Sequence, residues 1–319
     1  MADGRSPKGW LCQARTVITL LSAPTNLGLR PPQPGSVPGT SKAPEALREA
    51  GLFRRFVDAG ADDAGIVLPG RYVDDDDVRP AGRVRNEAPI VEHARRLALR
   101  LGSILDAGNA PLVIGGDCSV LLGIGVALSQ RGGTGLVHVD GHTDFRHPGN
   151  SDQCGSVAGE DLAAAVGLHW PAVANIDGLG PYFAPQRAVH IGHRDDDEEA
   201  DEARRTIGLV ISSRDAKART PGEIAAATAA VTGAGYWLQI DVDVLDPEIM
   251  PAVDSPDPGG LTAPGLTDLL TALAPGAIGA SVTIFDPDLD PEGRYAQVVA
   301  EAIATGLARL GTATASRLR

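Results

Sequence analysis

The sequence predicts an α/β fold in which a mostly parallel sheet of about eight strands is covered by helices on both faces. Two observations carry this expectation. Eight short apolar runs rich in β-branched residues recur along the chain, and stretches of helical composition lie between them. Such alternation marks strands joined by helical crossovers. In chain order the runs fall at 16–21, 65–68, 111–116, 135–140, 187–192, 206–212, 236–241 and 278–285. The expected helices fall at 43–58, 88–108, 119–130, 156–167, 221–233, 263–273 and 293–310. The Pro- and Gly-rich segment 22–51 reads as an ordered loop on the active-site side that turns helical at Pro44. Gly115 and Gly116 end one run in a tight turn that brings the side chains after it close to the strand end. Two acid runs, Asp74 to Asp77 and Asp195 to Glu199, read as solvated loops, the second with the better claim on a site because it follows a strand.

Ligands of such sheets bind beyond the carboxyl ends of the strands, and two clusters of ligand-type side chains fall there. Asp140, His142 and Asp144 follow GLVHV, and Asp241 and Asp243 follow YWLQI. In extended backbone, residues two apart point the same way, so each cluster is expected to converge on one point. Four carboxylates and one imidazole repel one another without cations, and oxygen-rich sets with some imidazole suit divalent ions such as Mn²⁺. That is more negative charge than one ion needs. Two ions sharing bridging carboxylates are therefore expected, in the kind of site that generates hydroxide near neutral pH. Taken singly, each acid is equally a helix cap or a turn residue; two clusters at the ends of apolar runs argue against that.

The chain has 319 residues, a length that permits one domain or two. Because the two clusters lie about a hundred residues apart and must build one site, a single domain over 1–319 is expected, with 1–15 a poorly ordered N-terminal extension. Hydrophobic content of 43% is ample for a core. A formal charge of −13 argues against nucleic acid as a partner. No run approaches the ~20 apolar residues of a membrane span, and residues 1–15 lack the apolar core of a signal peptide. Cys12, Cys118 and Cys154 are widely spaced and odd in number, which fits a reducing cytoplasm and not a disulfide framework.

Together GGDCS (115–119), DGHTDF (140–145) and DVDVLDP (241–247) resemble the motifs of the ureohydrolase superfamily, which includes arginases, agmatinases, formiminoglutamases and guanidino-acid hydrolases. The resemblance spans most of the chain, from PEALR (44–48) to FDPDLDP (285–291). It implies an arginase-like three-layer α/β/α fold, a binuclear manganese site, a homo-oligomer (trimer or hexamer) and a small guanidino or amidino substrate. Carried over by motif position, it makes Asp140 and Asp241 bridging ligands of both ions. Cys118 and Asp144 complete the shell of one ion, and His142 and Asp243 that of the other. It further implies that a hydroxide between the ions attacks a planar C=N carbon, with Asp144 accepting a hydrogen bond from it, and that an amine leaves.

Four positions depart from or extend that pattern. The superfamily carries His where this chain has Cys118, and a thiolate is softer, favouring Zn²⁺, Co²⁺ or Fe²⁺ over Mn²⁺; a small buried thiol that ligates nothing is the other reading. Arginases place a proton-shuttling His in an HG pair where this chain has Ala158, leaving Glu160 or His147 as candidate acid or base. The late strand-end motif, which in arginases and agmatinases carries a guanidinium-binding Glu, has Ile284 at that place, with Thr283 and Asp286 as nearby polar candidates. In IGHRDDDEEAD (191–201), similar to the stretch by which arginases hold the amino-acid end, Asp197 takes the place of the amino-binding carboxylate. Arg146 and Asn150 are candidates for gripping a carboxylate, for which Arg presents a bidentate fork.

The leading reading is a metal-dependent hydrolase of linear non-peptide C–N bonds in a small guanidino or amidino compound, N-hydroxyarginine or another guanidino acid among them. A catalytically silent homologue kept for binding or assembly is the alternative. A zinc deacetylase, which shares the fold class, fits less well because the chain has no HH pair.

Overall fold

The structure, a computed structural model, describes residues 16–233 and 235–313. The expected N-terminal extension at 1–15 lies outside them. Eight strands form one sheet: β1 (Ile18–Ala23), β2 (Asp62–Ile66), β3 (Ala110–Gly115), β4 (Gly135–Val139), β5 (Ala188–Ile191), β6 (Leu209–Ile211), β7 (Tyr236–Asp241) and β8 (Ala277–Thr283). Their order is β2-β1-β3-β8-β7-β4-β5-β6, and every neighbouring pair is parallel. Each of the eight apolar runs thus contributes a strand. The shortest match is β2, an edge strand with Asp62 and Asp63 at its start; charge at an edge discourages pairing with another chain.

Successive residues of the central strands feed two separate cores, one on each face. Leu112 and Ile114 of β3, Val137 and Val139 of β4, and Leu238 and Ile240 of β7 join one cluster, while Val113, Leu136 and Trp237 join the other. Helices cover both faces, which makes the three α/β/α layers. The helix Glu87–Asp106 presents Ile90, Ala94, Leu97, Leu101 and Ile104 as its buried stripe, the three- and four-residue spacing of an amphipathic helix. Pro221–Thr232 starts in a capping box between Thr220 and Glu223. Among the described residues no helix is long and apolar enough to cross a membrane.

The expected helix 43–58 is two, Ala43–Glu49 and Leu52–Asp58, because Gly51 adopts φ 87° between them. The expected helix 156–167 shrinks to single turns at Val157–Gly159 and Asp161–Ala165. Short helices at Ala200–Thr206 and Ser213–Ala218 were not expected; their charged sequences show no apolar stripe. The acid run at Asp74 to Asp77 is no simple solvated loop, since Asp75 and Asp76 pair with Arg79, and Asp76 also with the buried guanidinium of Arg85.

His93 is buried in the long helix, where its Nε2 donates to Val67 O at 3.1 Å. Burial pushes its imidazole down to about 4 despite that hydrogen bond. An unfolded chain takes up the same proton near 6.5, so the contribution of this group to stability is complete above that pH and is lost as pH falls toward 4. The loss is on the order of 2–3 kcal/mol. Urea midpoints at pH 7 and 4.5 are expected to differ less in His93→Gln, which keeps a donor and removes the titration. An unchanged pH slope in the variant would assign the acid sensitivity elsewhere.

Candidate metal centre and active-site cavity

The four central strands β3, β8, β7 and β4 are adjacent and run the same way, so their carboxyl ends share one edge. The candidate residues leave the sheet there. After β3 the chain turns through Gly116 into Asp117, Cys118 and the helix Val120–Ser129. Asp117 fixes that turn: one oxygen accepts from Ser119 N and Oγ, the other from Gly28 N at 2.7 Å. The Pro- and Gly-rich loop is thereby pinned over the strand end.

Asp140 and Asp241 leave β4 and β7 in the same manner. Asp140 Oδ1 accepts from His142 N at 2.7 Å, and Asp241 Oδ1 accepts from Asp243 N at 2.8 Å. Each carboxylate thus caps the turn that follows it, which spends Oδ1 on the backbone and turns Oδ2 into the site. This corrects the expectation that two-residue alternation brings the clusters together. β4 ends at Val139, Val242–Val244 is a single helical turn, and Asp144 reaches inward from a left-handed backbone with φ 48°.

The six expected ligands come together. The ligand atoms of Asp140, His142 and Asp243 lie within 4.8 Å of one another, as do those of Cys118, Asp140 and Asp241. Cys118 Sγ is 3.0 Å from Asp241 Oδ2 and 3.0 Å from Thr283 Oγ1. His142 Nδ1 is 2.8 Å from Asp243 Oδ2, and its Nε2 is 3.0 Å from Asp257 Oδ2 at the rim. Burial and the neighbouring carboxylates push Asp140, Asp144 and Asp241 well above the usual carboxylate range. Burial also raises the Cys118 thiol, with Asp241 adding to it. Asp243 is held low, because the adjacent His142 outweighs its burial.

This donor set fits divalent cations on two grounds. Asp140 Oδ2 is buried and receives no hydrogen bond. Among the described residues no Lys or Arg forms an ion pair with Asp140, Asp144, Asp241 or Asp243, whose only ion-pair partners are histidines. Buried carboxylates without a cation are costly, and polyvalent ions are what such groups ordinarily hold.

An open cavity of about 620 Å³ leads from this cluster to the surface. His142, Asp144, Asp241 and Asp243 form part of its lining, and Ile284 stands among them. Ile284 has φ 71°, a left-handed conformation that is a true outlier for a β-branched residue. Its amide donates to Gly116 O at 2.7 Å, so strand pairing continues through the strained residue.

The profile of the Arginase family matches residues 18–308. The chain belongs to the arginase family. It is a hydrolase of C–N bonds in amidino or guanidino groups. Over 274 residues it is 31% identical to an arginase of Brevibacillus brevis, which covers 82% of this chain and 89% of that one. Over 196 residues it is 32% identical to N(omega)-hydroxy-L-arginine amidinohydrolase of Streptomyces lavendulae, covering 60% and 66% of the two chains. The arginase structure from Bacillus caldovelox superimposes with a TM-score of 0.80 at 26% identity, over 92% of this chain and 98% of that one.

Within this arginase-family cavity the substrate-side candidates divide. Arg146, Asp197 and Asp286 line it. Asp197 accepts from Thr143 N and Oγ1 at 2.7 and 2.8 Å, Asp286 accepts from Gly39 N at 3.1 Å, and Arg146 makes a 3.5 Å contact with Glu199. Thr283 is buried, and Gln239 Nε2 donates to its Oγ1 at 3.0 Å. It touches Cys118 and does not line the cavity. Asn150 lies outside the cavity lining, donating to Phe145 O and Glu202.

Neither candidate acid or base reaches the cavity. His147 donates through Nε2 to Glu202 at 3.1 Å and accepts from Gly149 N through Nδ1. Glu160 is buried, with its oxygens taken by Gly155 N, Ser156 N and His169 Nε2. These bonds commit both side chains to holding the segments around them.

Two residues that sequence reasoning missed stand beside the cluster. His138 of β4 and Asp161 of the helix Asp161–Ala165 are fully buried, with His138 Nε2 3.1 Å from Asp161 Oδ1. For His138 a signal existed: it lies two residues before Asp140 in an extended strand and so shares its side. Arg194 was also missed; its guanidinium donates to the carbonyls of Gly192, Asp243, Leu245 and Asp257, tying the end of β5 to that of β7.

Proposed function

We propose that this chain hydrolyses a small guanidino acid at a binuclear Mn²⁺ site, and that its preferred substrate carries a modified guanidinium, of which N-hydroxyarginine is the leading case. The convergence of Cys118, Asp140, His142, Asp144, Asp241 and Asp243 at the carboxyl ends of β3, β4 and β7 carries the reading. Bound divalent ions supply Lewis acidity there and make hydroxide available near neutral pH. Asp140 and Asp241 would hold the ions through Oδ2, since Oδ1 of each caps the turn that follows it. Asp144, which lines the cavity beside the cluster, is proposed to accept a hydrogen bond from the water that attacks the planar carbon and to pass its proton to the nitrogen that leaves, as a C–O bond forms and a C–N bond breaks.

The substrate refinement rests on the cavity wall. Ile284 offers no charge to a guanidinium; Asp254 and Asp286 also line the cavity. An apolar side chain at that point of the wall favours a group less basic than guanidinium. The similarity to an N-hydroxyarginine amidinohydrolase supports the same direction. At the other end, Asp197 is proposed for the amino group and Arg146 for the carboxylate. The reading carries with it one arginase-like domain, a cytoplasmic location and a homo-oligomer.

Urea or hydroxyurea release from arginine, N-hydroxyarginine, agmatine and guanidinobutyrate, with Mn²⁺ supplied, tests it. Turnover is expected on a guanidino acid, with kcat/KM for N-hydroxyarginine above that for arginine. No turnover on any of the panel by protein carrying two ions would favour a silent homologue.

A further inference from the structure

Resting on the reading that ions occupy this site, we infer that Asp161 is an additional ligand of the ion held by Cys118 and Asp144, and that His138 is the residue that positions it. The ligand atoms of Cys118, Asp144 and Asp161 lie within 4.8 Å of one another, in a fully buried group. Asp161 Oδ1 is 3.1 Å from His138 Nε2, whereas Asp161 Oδ2 is buried and receives no hydrogen bond. A carboxylate oxygen without a donor inside a protein costs several kcal/mol unless a cation or a proton meets it. Among the described residues no Lys or Arg pairs with Asp161; its one ion-pair partner is His138.

A relay of imidazoles explains why Asp161 and not His138 takes the ion. The backbone N–H of His193 donates to His190 Nε2 at 3.2 Å, so a neutral His190 carries its proton on Nδ1. That proton points at His138 Nδ1, 3.0 Å away. His138 Nδ1 therefore accepts, its own proton sits on Nε2, and that proton goes to Asp161 Oδ1. Burial, with His138 and His193 adding to it, holds His190 well below the usual imidazole range, which keeps it neutral. Both nitrogens of His138 are thereby used. A nitrogen of its ring stands within 4.8 Å of Asp140 and Asp144 but has no lone pair to offer, and by holding Asp161 Oδ1 it leaves Oδ2 as the oxygen available to an ion. Imidazole–carboxylate pairs of this kind orient ligands in metal sites, and losing the outer partner typically costs 10–100-fold in affinity.

The consequence is chemical. With Cys118 in place of an imidazole, this half of the site becomes softer; an added carboxylate oxygen makes it harder and restores its preference for Mn²⁺.

Equilibrium dialysis of the full-length protein against Mn²⁺, with metal content read by mass spectrometry and affinity by calorimetry, tests the assignment. Wild type is expected to hold two ions. Asp161→Asn, which preserves shape and the bond to His138, is expected to keep one tightly and to weaken the other at least tenfold. His138→Gln is expected to weaken that same ion by about 10–100-fold. Two ions at wild-type affinity in Asp161→Asn would overturn the inference while leaving the proposed function standing. A wild type that binds no ion would overturn the proposed function itself. Should Asp161→Asn fail to fold, anomalous diffraction from Mn²⁺-loaded wild-type crystals decides: an Asp161 oxygen within about 2.2 Å of an ion supports the assignment, and one beyond about 3 Å removes it.

Discussion

Asp241→Asn is expected to lower turnover by on the order of 10³-fold or more and to release at least one ion, while leaving the protein folded. The substitution keeps the oxygen that accepts from Asp243 N at 2.8 Å, so the turn after β7 survives. It removes the charge on the oxygen facing Cys118 and the cluster. That charge is a burden without metal, since burial and the repulsion of Asp243 and Asp140 push the Asp241 carboxyl well up. The metal-free variant is therefore expected to melt no lower than metal-free wild type. Metal analysis, turnover and thermal melting together check this, and preserved activity with both ions retained would contradict a bridging role.

Gly116→Ala is expected to destabilise the fold by about 3 kcal/mol or more and to empty the metal centre with it. An added Cβ would stand 1.7 Å from Thr25 O. The obstruction is backbone and has no rotamer to escape into. That carbonyl accepts from Asp117 N at 3.0 Å, and Gly116 itself donates to Ala23 O and accepts from Ile284 N. Moving Thr25 aside would loosen β1 from β3 and shift Asp117 and Cys118 together. Urea denaturation and Mn²⁺ content measure the two losses, and a variant with wild-type midpoint and metal content would show that the close approach is not required.

The strands were legible because each buried run is nearly all apolar and bounded by Gly, Pro or charge, as at 111–116 and 236–241. The acidic clusters that meet beyond the strand ends were legible because DGHTDF and DVDVLDP crowd charge at the ends of such runs, where solubility alone does not require it. How they converge was not. Capping by Asp140 and Asp241, and the left-handed backbone at Asp144, depend on where the strands stop, and composition does not mark that point. His138 and Asp161 lie 23 positions apart in segments that each have an ordinary local reading, a polar residue in a strand and an acid in the first turn of a helix. His147 and Glu160 show the reverse case: their residue types suit proton transfer, but Glu202, His169 and backbone amides hold them to structural duty.

Because the central strands all run in one direction, the six clustered side chains stand along a single rim, and connections that line the entrance, 25–38, 145–156, 194–199 and 251–258 among them, pass over that rim without entering the sheet. Surface connections tolerate exchange far better than the elements they join. Selection can therefore retune which molecule is admitted by rewriting those crossings, while the scaffold beneath and the ions' anchorage stay as they are.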